Sequence, residues 1–274
     1  MFESFSQSWQ LLKQSFSVLT KDKELLVFPI ISGIITILLM ATFFVPIFLT
    51  AFFGQTNQYA GILTYMLVFV FYFISYFVVV FFNTALVGAA MIRLKGGDPA
   101  IGDGFKIAFS NLLHIILWSL VGATIGMLLR AISQRSRNNF FAGIATGLIG
   151  ASWSIASFLV IPVMVAENQG PFSSLRRSVE IIKSKWGTAI VGPAGIGIIF
   201  FIATILTIIL AAALSVVLPQ AIPIWVGLAI LIIVVLSVVS SALNGIFTAA
   251  VYTFAAQGSQ IQGFDQKLLE NAVR

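Results

Sequence analysis

Between Lys185 and Asp265 the chain runs for 79 residues without one charged side chain. Residues 25–92 form a second such run of 68 residues, from after Glu24 to before Arg93. Runs of that length exceed what a helix in a soluble core needs, and crossing a membrane takes about 20 apolar residues. Charged residues make up only 9% of the chain, against roughly 25% in an ordinary soluble domain. No soluble fold covers its surface with so few charges, so the sequence is that of an integral membrane protein.

The charge-free runs give the number of spans. A polar break at Gly54–Gln58 divides the first long run in two, and Pro219–Pro223 divides the last. Residues 107–129 and 138–166 each hold one span. The reading is all-α, with six transmembrane helices at about 25–53, 62–92, 112–132, 140–166, 188–218 and 222–256. The apolar runs are unbroken, whereas barrel strands alternate polar and apolar residues over about ten positions. Pro46, Pro162 and Pro193 fall inside spans and are candidate kinks.

Orientation follows from Lys and Arg in the connections. Lys13, Lys21, Lys23, Arg93, Lys95, Lys106, Arg176, Arg177, Lys183, Lys185, Lys267 and Arg274 place 12 of 15 cations on one side. The other side has Arg130, Arg135 and Arg137, all in one loop. Both termini are therefore expected in the cytoplasm. The first 24 residues hold no continuous apolar core, so no cleavable signal is expected.

Three amphipathic segments precede three pairs of spans. In the first, Phe2, Phe5, Trp9, Leu12, Phe16 and Leu19 recur at helical spacing. The second, near 98–111, opens at Asp98-Pro99 and carries Ile101, Phe105, Phe109 and Leu112. The third, near 171–186, opens at Gly170-Pro171 and carries Phe172, Leu175, Val179, Ile182 and Trp186. The architecture expected is three hairpins, each preceded by a cytoplasmic interfacial helix. Residues 1–24 form the N-terminal amphipathic segment, 25–256 the transmembrane domain, and 257–274 a cytoplasmic tail.

The unit repeats in detail. Ser8–Lys13 echoes Ser178–Lys183, and Pro29 followed by Gly33 echoes Pro193 followed by Gly197. Asn83 precedes Gly97 by fourteen residues, as Asn244 precedes Gly258. Duplication and shared constraints at a membrane surface both account for this.

Classical catalytic chemistry has little raw material. There is no cysteine, and His114 is the single histidine. This rules out thiolate sites, a cysteine nucleophile and a multi-histidine metal centre. No Gly-x-Ser-x-Gly elbow or Walker lysine motif occurs. Gly192, Gly195 and Gly197 lack both the preceding strand and the spacing of a dinucleotide loop. The chain is expected not to be an enzyme, and to hold no metal or cofactor.

What remains is polar patterning. Ser237, Ser241, Asn244, Thr248 and Tyr252 lie on one face of the sixth span, and Tyr65, Tyr72, Tyr76 and Asn83 on a comparable face of the second. They form either a polar path or interhelical hydrogen bonds, the latter worth about 0.6 kcal/mol each. Arg130, Arg135, Arg137, Arg176, Arg177 and Lys183 are candidate lipid-headgroup contacts. Gly122-xxx-Gly126 and Gly143-xxx-Gly147 are expected to pack the third span on the fourth.

One group of motifs carries a family resemblance. It comprises Phe158–Glu167, Gly170-Pro171, Leu175–Lys183 with Trp186, Ser8–Lys13, Phe28-Pro29, and Asn83–Ala89 leading to Gly96–Pro99. Together they resemble an uncharacterised six-span family of bacteria and archaea known as a domain of unknown function. They are more distantly similar to the membrane domain attached to some glycerophosphodiester phosphodiesterases. Those enzymes hold catalysis in a separate soluble domain, so the resemblance implies no activity and no site residues here.

Residues and resemblance together point to a non-enzymatic scaffold, accessory or lipid-interacting membrane component. The alternative is a facilitator or transporter of a small solute or lipid, using the polar faces of spans two and six. Expected partners are membrane lipids, anionic ones included, and a protein partner or second copy. Nucleic acid is not expected.

Overall fold

The computed structural model describes residues 2–52, 60–135, 140–185, 191–258 and 261–265. Among these residues there are helices and no strands. The helices are α1 (Phe2–Lys21), α2 (Val27–Phe52), α3 (Ala60–Leu94), α4 (Ile101–Ser110), α5 (Leu112–Arg135), α6 (Phe140–Ser157), α7 (Val160–Glu167), α8 (Pro171–Lys185), α9 (Val191–Val217) and α10 (Ile222–Gln257). Six helical stretches are long and apolar enough to cross a membrane, with α6 and α7 together making the fourth. Their exposed surfaces carry Ile37, Leu38, Leu206, Ile209, Leu231 and Val235, a composition that suits lipid and not water.

The chain divides into two compact units. One comprises Met1–Pro29, Ala89–Ile101 and Lys183–Arg274; the other comprises Ile30–Gly88 and Gly102–Ile182.

In the first unit, α1 packs on α9 and α10, which pack on each other. The face of α1 turned inward carries Leu11, Ser15, Val18 and Leu19, all buried. Trp9 and Phe16 are 43% and 48% exposed. Trp9 and Phe16 of the expected stripe therefore point away from the packed face, with the Lys13 ammonium 5.6 Å from the Trp9 ring centre.

Asp22, buried after α1, pairs with Arg93 near the end of α3. Arg93 also donates to the Gly97 carbonyl at 3.1 Å and lies 3.5 Å from Asp98. Burial pushes the Asp22 carboxyl above its ordinary range, while Arg93 pulls it down by less. Residues 261–265 are docked on this end of the unit. The Gln262 N–H donates to the Leu94 carbonyl at 3.1 Å, and Ile261 and Phe264 are buried. Gly263, at φ 90°, holds its backbone against Val18.

Several expected boundaries move. The second amphipathic segment becomes helical at Ile101, not at Asp98-Pro99. Its first N–H is capped by Glu24 at 3.2 Å, from 77 residues away. The left-handed residue closing α3 is Gly96, at φ 89°, and not the Gly97 that matches Gly258 in sequence. Asn168 closes α7 in the same conformation at φ 49°, and Gly258 closes α10 at φ 60°.

In the second unit, α3 meets α4 through Phe81, Phe82, Phe105 and Phe109. A Cβ on Gly122 of α5 would fall onto the Tyr76 ring of α3. That glycine therefore admits the Tyr76 ring of α3. Gly126, Gly143 and Gly147 have nothing within 4 Å of where a Cβ would stand. The joint between α5 and α6 is a stack of Trp118 on Trp153, 5.5 Å between centres and 22° between planes. The tandem small-residue motifs do not form it.

Of the three candidate kinks, α2 and α9 continue as helix through Pro46 and Pro193, while the fourth span breaks at Phe158-Leu159. The break lies where a proline at 162 collides, because its ring meets the carbonyl of residue i−4. Ser178 of α8 closes the gap: its hydroxyl donates to the Ala156 carbonyl at 2.7 Å and accepts from the Leu159 N–H at 3.2 Å. A broken helix is tolerated in lipid when such a side chain satisfies the freed backbone.

Candidate functional site

The polar face of α10 changes along its length. Tyr252 is buried, Asn244 and Thr248 are half-buried, and Ser237 and Ser241 are exposed. A groove of about 420 Å³ opens where the face emerges. Its floor is Ser237, Ser240, Ser241 and Asn244, and Leu236 flanks it. The facing wall comes from α9, with Gly197, Phe200, Phe201 and Thr204. Among the described residues no charged side chain lines it.

The groove therefore pairs the sixth span with the fifth. Asn83, the other half of the expected polar path, lies half-buried on α3 in the second unit. Thr248 lies outside the lining and donates to the Asn244 carbonyl at 2.7 Å.

The hydrogen-bond inventory sets what the groove can bind. Ser237 and Thr204 donate their hydroxyl protons to the carbonyls of Ile233 and Phe200, at 2.8 and 2.9 Å. This back-bonding to residue i−4 leaves the oxygen lone pairs facing outward. The Asn244 amide N–H₂ is held by the Ser240 carbonyl at 2.8 Å and the Ser240 hydroxyl at 3.4 Å. Its carbonyl oxygen remains an open acceptor among the described residues. Ser241 makes no hydrogen bond among them. Ser237–Asn244 fall near the middle of α10.

The candidate headgroup cations divide by partner. Arg176 pairs with Glu180 at 3.1 Å, and Arg177 with Glu167 at 3.3 Å and Glu180 at 3.8 Å. Arg130 is exposed, donates to the Tyr72 hydroxyl and stands 5.9 Å from the Tyr72 ring centre. Lys183 is exposed. Arg135 closes α5, and Arg137 lies outside the described residues, as do Trp186 and the loop 54–58. Sequence reasoning found Ser237, Ser241 and Asn244. It missed the α9 wall, because Phe200, Phe201 and Thr204 do not stand out within an apolar run. Among the described residues no group of three or more His, Cys, Asp or Glu stands close enough to hold a metal ion.

A family model described as "Family of unknown function (DUF6159)" matches residues 62–263. No curated protein and no solved structure matches the chain. The likeness to the membrane domain of glycerophosphodiester phosphodiesterases finds no support among these comparisons.

Proposed function

We propose, from the premise that the chain belongs to the Family of unknown function (DUF6159), that it is a non-enzymatic multi-pass membrane protein that binds lipid. The α9–α10 groove is the seat. The observation that carries this reading is the sideways opening of a polar-floored groove among exposed apolar residues. Leu206 and Ile209 of α9 and Leu231 and Val235 of α10 are all exposed, so bilayer lipid is the molecule at hand. A path for a water-soluble solute needs an enclosed polar lumen, and this groove is open.

The shorter helices support the same reading. On α1, α4 and α8 a cation stands exposed near an exposed aromatic ring: Lys13 near Trp9 and Phe16, Lys106 near Phe109, and Arg176 near Phe172. That pairing suits a helix lying in the headgroup layer. Each basic residue near an anionic surface contributes roughly 1 kcal/mol. On α8 the carboxylates of Glu167 and Glu180 offset part of this. The Lys and Arg distribution favours the cytoplasmic side for these helices and both termini.

Native mass spectrometry of the protein in lipid-preserving particles tests the proposal. A stoichiometric retained lipid is expected, lost in a Gly197→Leu variant that fills the groove. A bare monomer with only exchangeable bulk lipid would overturn it. A stoichiometric protein partner held through the groove would replace it with a scaffold role.

A further inference from the structure

We infer that the groove is selective for the hydroxyl group of a neutral lipid, a diacylglycerol or long-chain alcohol in chemical class; this rests on the lipid-binding reading above. Charge is the first discriminator. Among the described residues the lining holds no cation, and an anionic phosphate moved into apolar surroundings without one is strongly disfavoured.

The second discriminator is the balance of donors and acceptors. Ser237, Thr204 and Asn244 have committed protons to their own helices and present oxygen lone pairs. A ligand that only accepts, such as an ester carbonyl or a phosphate, finds the Ser240 and Ser241 protons but leaves the Ser237, Thr204 and Asn244 oxygens unanswered. A hydroxyl donates to these oxygens and accepts from Ser241, whose own proton is uncommitted among the described residues. Ser241 and Ser237 stand four residues apart on one face, so one oxygen atom can serve both.

The third discriminator is depth and shape. The floor falls near the middle of α10, away from both of its ends, the part of a span that lies in the hydrocarbon. A neutral lipid can bring its hydroxyl to that depth at far lower cost than a charged headgroup. The 420 Å³ volume falls in the range of small-ligand sites. Phe200, Phe201 and Leu236 offer apolar surface to the adjoining chain.

The test uses the full chain in phosphatidylcholine nanodiscs carrying one of three probes with identical acyl chains. These are dioleoylglycerol, its acetate ester, which lacks the hydroxyl proton, and dioleoyl phosphatidate. Retention is read by native mass spectrometry. Dioleoylglycerol should be retained about tenfold over either analogue, the discrimination one or two hydrogen bonds provide. That preference should vanish in Ser237→Ala/Ser241→Ala, whose sites are exposed and whose fold is retained. Equal retention of all three overturns hydroxyl selectivity while leaving a lipid seat in place. Preference for phosphatidate overturns it in favour of the surface cations. Retention of none overturns the lipid reading as well.

Discussion

Ser178 of α8 and Ser241 of α10 are both helix serines in a largely apolar chain, and their surroundings differ in every respect that matters. Ser178 is fully buried, and its hydroxyl acts both as donor and as acceptor between two helices. Ser241 is exposed and makes no hydrogen bond among the described residues. The first replaces backbone bonding that the Pro162 break removes. The second keeps its bonding capacity for something outside the chain. Hydroxyls in membrane helices thus divide into those that complete the fold and those left open for a ligand, and the division is made by neighbours, not by residue type. Ser15 of α1 is instructive beside them. It occupies a buried position like that of Ser178, yet its hydroxyl finds no partner among the described residues.

The largest effect expected is on stability at Ser178. Ser178→Ala leaves the Leu159 N–H and the Ala156 carbonyl without their partner, at a cost of about 1–3 kcal/mol. Thermal unfolding in mild detergent reads it as a clear drop in Tm. Pairing it with Pro162→Ala sharpens the comparison, because a continuous helix no longer needs the bridge. The double variant should lose less than the sum of the singles. Full additivity would mean that Ser178 does not serve the break.

Gly122→Ala should come next. The new methyl group falls onto the Tyr76 ring, an overpacking of about 1–3 kcal/mol. Tyr76→Leu in the same background should recover part of the loss, measured by the same unfolding assay.

Asp22 gives a smaller, pH-dependent effect. Its folded pKa is raised above the ordinary 3.8, so the native state takes up the proton more readily than the unfolded state. Its contribution is full below 3.8 and is lost as pH rises through the folded value. Asp22→Asn should flatten the part of the stability profile that falls as pH rises above 3.8, and an unchanged slope would assign it to other carboxyls.

Ser237→Ala and Ser241→Ala should change stability least, within about 0.5 kcal/mol. Loss of Tm comparable to Ser178→Ala would erase the distinction between the two kinds of serine.

Much of this organisation was legible in the chain. Charge-free runs locate all six apolar stretches, because charges at the bilayer centre are costly. Pro171 opens α8 where Gly170-Pro171 predicts it, and Pro162 marks the one break among the described spans. Contacts between distant segments were not legible. Nothing near Glu24 announces that it caps Ile101, and nothing in Ser178 announces that Leu159 needs it. The stripe of α1 was read as one face, yet apolar residues there serve two. Leu11 and Val18 face the packed helices, while Trp9 and Phe16 face outward. Periodicity detects an apolar face without saying whether protein or lipid covers it. Residues 261–265 read as tail because docking by the Gln262 and Asp265 N–H groups, on the Leu94 carbonyl and the Gln14 side chain, with two apolar side chains, leaves no pattern in sequence.

The absence of cysteine allows a direct test of the open serine. Ser241→Cys, labelled with a benzophenone maleimide and irradiated in its own membrane, reports what occupies the groove. The expected adduct has the mass of one hydroxylated neutral lipid, and the same label at Leu206→Cys, exposed on α9 outside the groove lining, should give bulk phospholipid. Cross-linking at Ser241 only to protein, or to bulk phospholipid in proportion to its abundance, would contradict the assignment of the groove as a lipid seat.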